Sequence, residues 1–314
     1  LFRSLRKRIV TDANTNIVPA NEAINQTGEL VVPSVTSLSP VNPARATKLD
    51  LVPEYMRDDF DDSSDIQLMQ EYVTPPMARI VQSLSPDEAK RFGEGALYTT
   101  PSYGLIIPAP PIGQTQSGYA RFVPIFFFPE YIAWEQRGVK PQINARTYDP
   151  NSQLAKICKK FKPEERNFPD PATGRVLNRQ EHLNFIIMFL EGELAGTPML
   201  ISFAKSAHKC GRTLCETILM RRNSQGIQPY GQVYELSTFR DVNDRGDKYW
   251  KPSVRSAVDD NNVVINLTEE WYLYSRDQRN HFKELYDNRM LVTDLDSEDN
   301  EQPTAAANAA TGQF

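Results

Sequence analysis

The strongest constraint on the fold of this 314-residue chain is that its β-rich stretches alternate with turns, not with helices. Ser102–Ile107 and Tyr119–Phe128 are joined by a loop rich in Pro, Gly and Gln, which predicts a long hairpin. Gly231–Arg240 and Asp247–Val254 flank a short turn containing Asn, Asp and Gly, which predicts a second hairpin. The pattern therefore predicts an α+β fold on an antiparallel sheet or small barrel. The missing strand–helix alternation argues against a doubly wound nucleotide-binding fold.

Helix signals lie between and after these strands. Ser85–Glu88 is a capping box with proline at the first helical position, which predicts a short helix ending near Phe92. Apolar residues at helical spacing predict helices in Ser152–Phe161 and Arg212–Arg222. Thr268 is expected to cap a long helix running to about Met290. Three more strands are predicted, at His182–Leu190, Met199–Lys205 and Val263–Leu267.

Composition divides the chain into three parts. Residues 1–65 are predicted to form an extended or disordered N-terminal arm with an acidic end, because much of this segment is rich in Asn, Thr, Pro, Val and Ser. Residues 66–292 have the size of one folded domain. Residues 293–314 combine acidic residues with an Ala/Asn run, which predicts a disordered acidic tail.

The net charge of −5 conceals a segregated distribution. Asp50–Glu71 has eight acidic residues and one basic residue, whereas Lys140–Arg222 has fourteen basic and eight acidic residues. Residues 293–314 contain five acidic residues and no basic one. Because the middle of the chain is basic and its two ends are acidic, the negative net charge does not exclude a polyanionic partner.

Composition also excludes some classes of protein. No apolar run approaches the roughly 18 residues of a membrane span, so no membrane partner is expected. Three cysteines exclude a disulfide framework and suggest a reducing compartment. The predicted location is cytoplasmic.

Lysines, arginines and aromatic residues in the middle of the chain are candidates for nucleic-acid binding. Phosphates require basic side chains on one surface, and unpaired bases require exposed rings, with each stacking contact worth ~1–3 kcal/mol. Alternation along Tyr119–Phe128 is expected to bury one set of side chains and expose the other. The candidate residues are Tyr119, Arg121, Lys156, Lys159, Lys160, Lys162, Lys205, Lys209, Arg212, Arg221, Arg222, Phe239, Arg240, Trp250 and Lys251.

Signatures of catalysis and of cofactor binding are mostly missing. There is no GxxxxGK[ST], GxGxxG, HExxH or GxSxG motif, so the chain is predicted not to be an enzyme and no catalytic residue is assigned. His208, Cys210 and Cys215 are weak zinc candidates, with Cys158 or His182 as a fourth ligand. Their spacing is not CxxC and Cys215 falls on an apolar helix face, so no cofactor is predicted, although zinc stays open.

The acidic tail suggests a second kind of contact. A flexible acidic segment ending in an aromatic residue can occupy a basic groove or dock a partner protein. The candidate partner-binding residues are Asp294, Asp296, Glu298, Asp299 and Phe314.

The layout resembles single-stranded DNA-binding proteins of tailed bacteriophages. The resemblance is carried by Gly104–Pro108, Tyr119–Trp134, the basic strand–turn–helix Met199–Arg222 and the terminal Asp294–Phe314. It implies an OB-like β-barrel with helical insertions, which binds single-stranded DNA in phage replication or recombination. It also implies that the acidic tail recruits replication proteins.

Two other interpretations stay open. The Thr-, Asn- and Pro-rich arm is also common in virion components, so the alternative is a structural or assembly protein of the phage particle. A metal-dependent nucleic-acid enzyme is the third interpretation.

Overall fold

The computed structural model describes residues 74–291, apart from residues 101, 103, 137–138, 140, 172 and 244–245. The predicted arm (1–65) and tail (293–314) lie outside the described residues. Within this part, nine strands form one sheet: β1 Met77–Ile80, β2 Leu97–Thr100, β3 Leu105–Ile107, β4 Ala120–Trp134, β5 Ile143–Thr147, β6 Asn178–Phe189, β7 Pro198–Phe203, β8 Tyr234–Val242 and β9 Lys248–Ser256. The described α-helices are α1 Pro86–Phe92, α2 Gln153–Cys158, α3 Pro163–Arg166, α4 His208–Gln225 and α5 Glu269–Asp287. None of them is long and apolar enough to cross a membrane.

The prediction of an α+β fold on a mainly antiparallel sheet is confirmed. The strand order is β3-β2-β1-β7-β6-β4-β8-β9, with β5 paired to the end of β4. The β1–β7 pair is parallel, and the other described pairs are antiparallel. The β8–β9 hairpin and strands β6 and β7 lie where the sequence predicts them.

The predicted hairpin between Ser102–Ile107 and Tyr119–Phe128 is wrong. β3 pairs with β2, while β4 pairs with β5, β6 and β8. A local turn explains the difference, because the Thr99 hydroxyl hydrogen-bonds the Ser102 hydroxyl and accepts from the Gly104 N–H. This turn lets β3 pair with β2, which comes just before it in the sequence, so β3 already has a partner before the long loop to β4 begins. The predicted strand Val263–Leu267 forms only isolated bridges.

The sheet has two covered faces. Neighbouring residues of β6 point to opposite sides, so Phe185 belongs to one core cluster and Ile186 to the other. Helix α4 adds Leu214 to the first cluster, and helix α5 adds Tyr274 and Phe282 to the second. We call these two sides of the sheet the α4 face and the α5 face.

Helix α4 packs unusually close to the sheet. A Cβ at Gly211 would lie 2.6 Å from the Cβ of Phe203, so only glycine permits this approach. On the other side, the Tyr274 hydroxyl of α5 donates to the Gly196 carbonyl at 3.0 Å. The predicted helices α1, α2, α4 and α5 are all present, although Phe161 lies beyond the end of α2.

A β-bulge interrupts the long central strand β4. Pro124 pairs with Ile187 and Phe126 with Ile186, so Ile125 is an additional residue on β4. Bulges of this kind bend a strand and increase its local twist.

The sheet is curled into a half-barrel that brings β1 toward β9. The side-chain amide of Gln82, just after β1, donates to the Trp250 carbonyl at 2.8 Å and accepts from the Trp250 N–H at 3.0 Å. One glutamine therefore bonds both backbone groups of one β9 residue, as a neighbouring strand would do.

Candidate nucleic-acid interface

Two groups of predicted basic residues meet on the α4 face. Tyr131 of β4 and Glu181 of β6 are directly opposed, and Glu181 lies four residues before Phe185, so both point to the α4 face. The Nζ atom of Lys159, after α2, is 5.0 Å from the centroid of the Tyr131 ring. The Nε2 atom of His208, at the start of α4, is 2.9 Å from the Glu181 carboxylate. Helices α2 and α4 thus approach the same pair of strand residues.

This arrangement affects the titration of Glu181. Burial alone would raise the pKa of this carboxyl, but the hydrogen bond and charge of His208, together with Lys159, hold its pKa below the ordinary value. The carboxylate therefore stays ionised and keeps the two basic segments close together.

Six lysines around α2 and the start of α4 are exposed. In the described part of the chain none of them forms an ion pair with a carboxylate. We call them the α4-face basic surface: Lys156, Lys159, Lys160, Lys162, Lys205 and Lys209. Arg212 and Arg222 are exposed on α4 as well, and Arg212 pairs with Glu216 one helical turn away at 3.8 Å.

Phe161 is an exposed ring within this surface. Its relative exposure is 94%, and its sequence neighbours are Lys160 and Lys162. Its expected place on an apolar helix face is wrong, because α2 ends at Cys158 and Pro163 begins a new helix. The residue before a proline is disfavoured in the helical region, so the chain between them leaves the helix.

Two sequence candidates are buried and face the interior. Arg221 is 6% exposed and donates to the Val233 carbonyl at 3.3 Å and the Asn266 side chain at 2.9 Å. Trp250 is also 6% exposed, with its ring against Gly95. Both side chains hold elements together, and a nucleic-acid strand cannot reach them in this structure.

Four of the five remaining candidates form a patch on the α5 face; the fifth, Arg240, lies opposite Trp250 and so on the other side of β8. Tyr234 and Leu236 belong to the α4-face core, so Glu235 between them points to the α5 face. Arg121 is opposite Glu235 on β4, and Arg255 is opposite it on β9. We call the following residues the α5-face patch: Tyr119, Arg121, Glu235, Phe239, Asp241, Lys251 and Arg255.

The patch contains the same contact twice, a carboxylate that holds a cation over a ring. Arg255 Nε is 2.7 Å from Glu235 Oε2, and Arg255 Cζ is 4.0 Å from the centroid of the Tyr119 ring. Lys251 pairs with Asp241, and its Nζ is 4.7 Å from the centroid of the Phe239 ring.

These contacts move the pKa values of the charged groups. Hydrogen bonding to Glu235 raises the pKa of Arg255, and the hydrogen bond from Lys251 lowers the pKa of Asp241. Both shifts favour the charged forms, so the cations stay in place over the rings.

An open cleft of about 300 Å³ lies beside these contacts. Its lining residues are Thr115, Gln116, Phe239, Arg240 and Ser253. The Gln116 amide Nε2 donates to the Tyr119 hydroxyl at 2.6 Å and the Ser237 hydroxyl at 3.3 Å. The cleft therefore combines an aromatic ring, hydroxyl groups and an oriented amide.

The structure separates the sequence candidates into two surfaces. The lysines of α2 and α4 are on the α4 face, whereas Tyr119, Arg121, Phe239 and Lys251 are on the α5 face. Phe161 and Arg255 were not among the candidates. Residues two apart on a strand share a face, so the position of Lys251 could have indicated that Arg255 lies on the same face of β9. No sequence pattern distinguishes the exposed Phe161 from a phenylalanine of the core.

The zinc candidates do not come together. No group of three His, Cys, Asp or Glu side chains in the described ranges could hold a metal ion. His208 instead contacts Glu181. Burial raises the pKa of Cys158, Cys210 and Cys215 to about 11, so these thiols stay protonated.

Fold and surface define a curled α+β protein with cations and rings on both faces of its sheet, and comparison with protein families places it among bacteriophage proteins. The model of the Pam3 phage gp34-like protein family matches residues 45–282, so the chain belongs to that family. No curated protein and no solved structure matches the chain.

Proposed function

We propose that this phage protein binds single-stranded DNA without sequence preference and acts in phage DNA replication or recombination. The observation that carries the proposal is Phe161, an almost fully exposed ring between lysines on the α4-face basic surface. Lysines without carboxylate partners attract phosphates, and an exposed ring stacks on any base.

Sequence tolerance follows from the kind of contact. Lys156, Lys160 and Lys162 offer ammonium groups, which position a phosphate backbone but do not discriminate between bases. Stacking on Phe161 is equally tolerant, since every base has a π-face.

The curled sheet supports an OB-like architecture. OB-folds bind nucleic acid on a partly open barrel, and the closure between Gln82 and Trp250 produces a comparable curl. In this proposal the protein acts by binding alone, with no cofactor, in the host cytoplasm. Replication proteins are the proposed partners of the acidic tail.

Titration with fluorescent oligo-dT at low and high salt tests the proposal. We expect binding at low salt that weakens steeply as salt rises, because bound lysines release counterions from the strand. Absence of binding at low salt would refute it. The virion interpretation predicts stable higher oligomers without nucleic acid, which size-exclusion chromatography with light scattering detects.

A further inference from the structure

We infer that the α5-face patch is a second binding site for single-stranded DNA, so that one chain can hold two strands at once. The inference rests on the proposed function, because it assigns the same ligand class to a separate surface. It is carried by the two ring–cation contacts and the cleft beside them.

The patch presents planar groups on which a base can stack. Unpaired bases stack on aromatic rings and on arginine guanidinium planes. Arg255 lies over Tyr119 at 4.0 Å, and its side chain is 56% exposed. The Tyr119 ring supports one side of the guanidinium, and the exposed side is available to a base.

The charges of the patch suit a phosphate backbone. Glu235 is buried and shared between Arg121 and Arg255, so one carboxylate serves two cations. Arg121, Lys251 and Arg255 outnumber the two carboxylates, Glu235 and Asp241, so the patch keeps an excess of positive charge.

The cleft offers hydrogen bonds to a base edge. Hydrogen bonds to Tyr119 and Ser237 orient the Gln116 amide, and Ser253 supplies a hydroxyl on the same lining. Phe239 supplies an apolar surface, with Lys251 over its ring. This combination fits a nucleobase better than an aliphatic ligand.

The two surfaces lie on opposite sides of the sheet. Tyr131, beneath Lys159, points to the α4 face, and Arg121 points to the α5 face. The packed sheet separates them, so a base bound on one face cannot contact the other. Two strands bound to one chain would be held on opposite sides of the sheet, so the protein would bridge two strands, which is a further activity.

The test counts bound strands on the full-length protein. The probe is oligo-dT of about six nucleotides, near the lower end of a single-domain site, and native mass spectrometry at low salt gives the number bound per chain. The variants for the α4 face are Phe161→Ala with Lys160→Gln. Those for the α5 face are Arg121→Gln with Arg255→Gln.

Removing both partners of the buried Glu235 could unfold the protein, so a second α5-face variant distinguishes loss of binding from loss of folding. Lys251→Gln with Phe239→Leu leaves Glu235 and its partners intact. Lys90→Gln, an exposed lysine on α1 outside both surfaces, is the matched charge control.

We expect two oligonucleotides on the wild type and the Lys90→Gln control. Each double variant should bind one of them more than tenfold more weakly, and the α4-face and α5-face variants combined should lose both. One oligonucleotide on the wild type, unaffected by either α5-face variant, would overturn the second site and keep the proposed function. If the wild type binds one oligonucleotide, and only the α5-face variants lose it, the two-site arrangement is wrong. No binding at all would refute the proposed function itself.

Discussion

At the residue scale, the proposed DNA binding depends on single side chains. Lys160 and Lys162 flank an aromatic ring that is free to stack on a base, because Phe161 is 94% exposed and contributes nothing to the core. Because the ring is not part of the core, its removal should weaken binding and leave stability unchanged.

Phe161→Ala is the most direct test at this scale. We expect affinity for oligo-dT to fall by about five- to 150-fold, since a base–aromatic stack is worth ~1–3 kcal/mol. The melting temperature should not change. Leu84→Ala is the matched control, because Leu84 is 95% exposed and has no basic neighbour in sequence. Equal loss of affinity in both variants would contradict the stacking role.

A buried histidine should make stability depend on pH. Burial, with added repulsion from Lys205 and Arg146, lowers the pKa of His182 to about 4. The unfolded chain protonates this residue near pH 6.5, so it binds more protons than the native state between these values. Stability should fall by at most about 3 kcal/mol as pH decreases from 6.5 to 4.

Urea unfolding across this range measures the effect. His182→Gln should flatten the pH dependence, whereas His281→Gln on α5 is the matched histidine control. If the two variants change the slope equally, the assignment to His182 is wrong.

At the scale of elements, the outer edge of β9 is blocked at two successive outward positions. Gln82 bonds both backbone groups of Trp250, and Pro252 has no N–H. Open strand edges invite pairing with other chains, so these contacts keep the sheet from extending.

Gln82→Leu should open this edge. The loss of two hydrogen bonds to a buried residue should reduce the free energy of unfolding by ~1–3 kcal/mol, and the freed edge should promote association. Urea unfolding and light scattering measure both effects. Gln153→Leu, an exposed position at the start of α2, should change neither. An unaltered midpoint in Gln82→Leu would show that the contact is dispensable.

The elements differ in how far local sequence predicts them. The β8–β9 hairpin and helix α5 carry their own signals, a turn in one and an apolar helical face in the other. The partners of β4 could not be predicted, because they depend on β6 and β8, whose paired residues are more than forty positions away in the sequence. The same limit applies to the site: basic segments are visible in the sequence, but the face they occupy depends on strand pairing, and the burial of Arg221 and Trp250 depends on tertiary packing.

At the scale of the whole molecule, charge distribution matters more than net charge. The described basic surface is followed in sequence by the acidic residues Asp294–Glu301, which lie outside the described residues. A tail that competes with DNA would lower apparent affinity at low salt, where its charges are least screened.

Removal of the tail should therefore strengthen binding. A chain ending at Val292 should bind oligo-dT several-fold more tightly than the full chain, and the difference should shrink as salt rises. Fluorescence anisotropy measures both. A full-length variant with the tail acids replaced by Asn and Gln separates charge from length. Identical affinities for all three proteins would exclude competition by the tail.

The additional residue in β4 determines on which sides of the sheet the two surfaces lie. Arg121 and Tyr131 are ten positions apart, and in a regular strand an even separation would put them on the same side. The additional residue Ile125 reverses this alternation, so Arg121 and Tyr131 point to opposite sides of the sheet. A relative of this protein that lacked one residue at this place would have Arg121 and Tyr131 on the same side of β4.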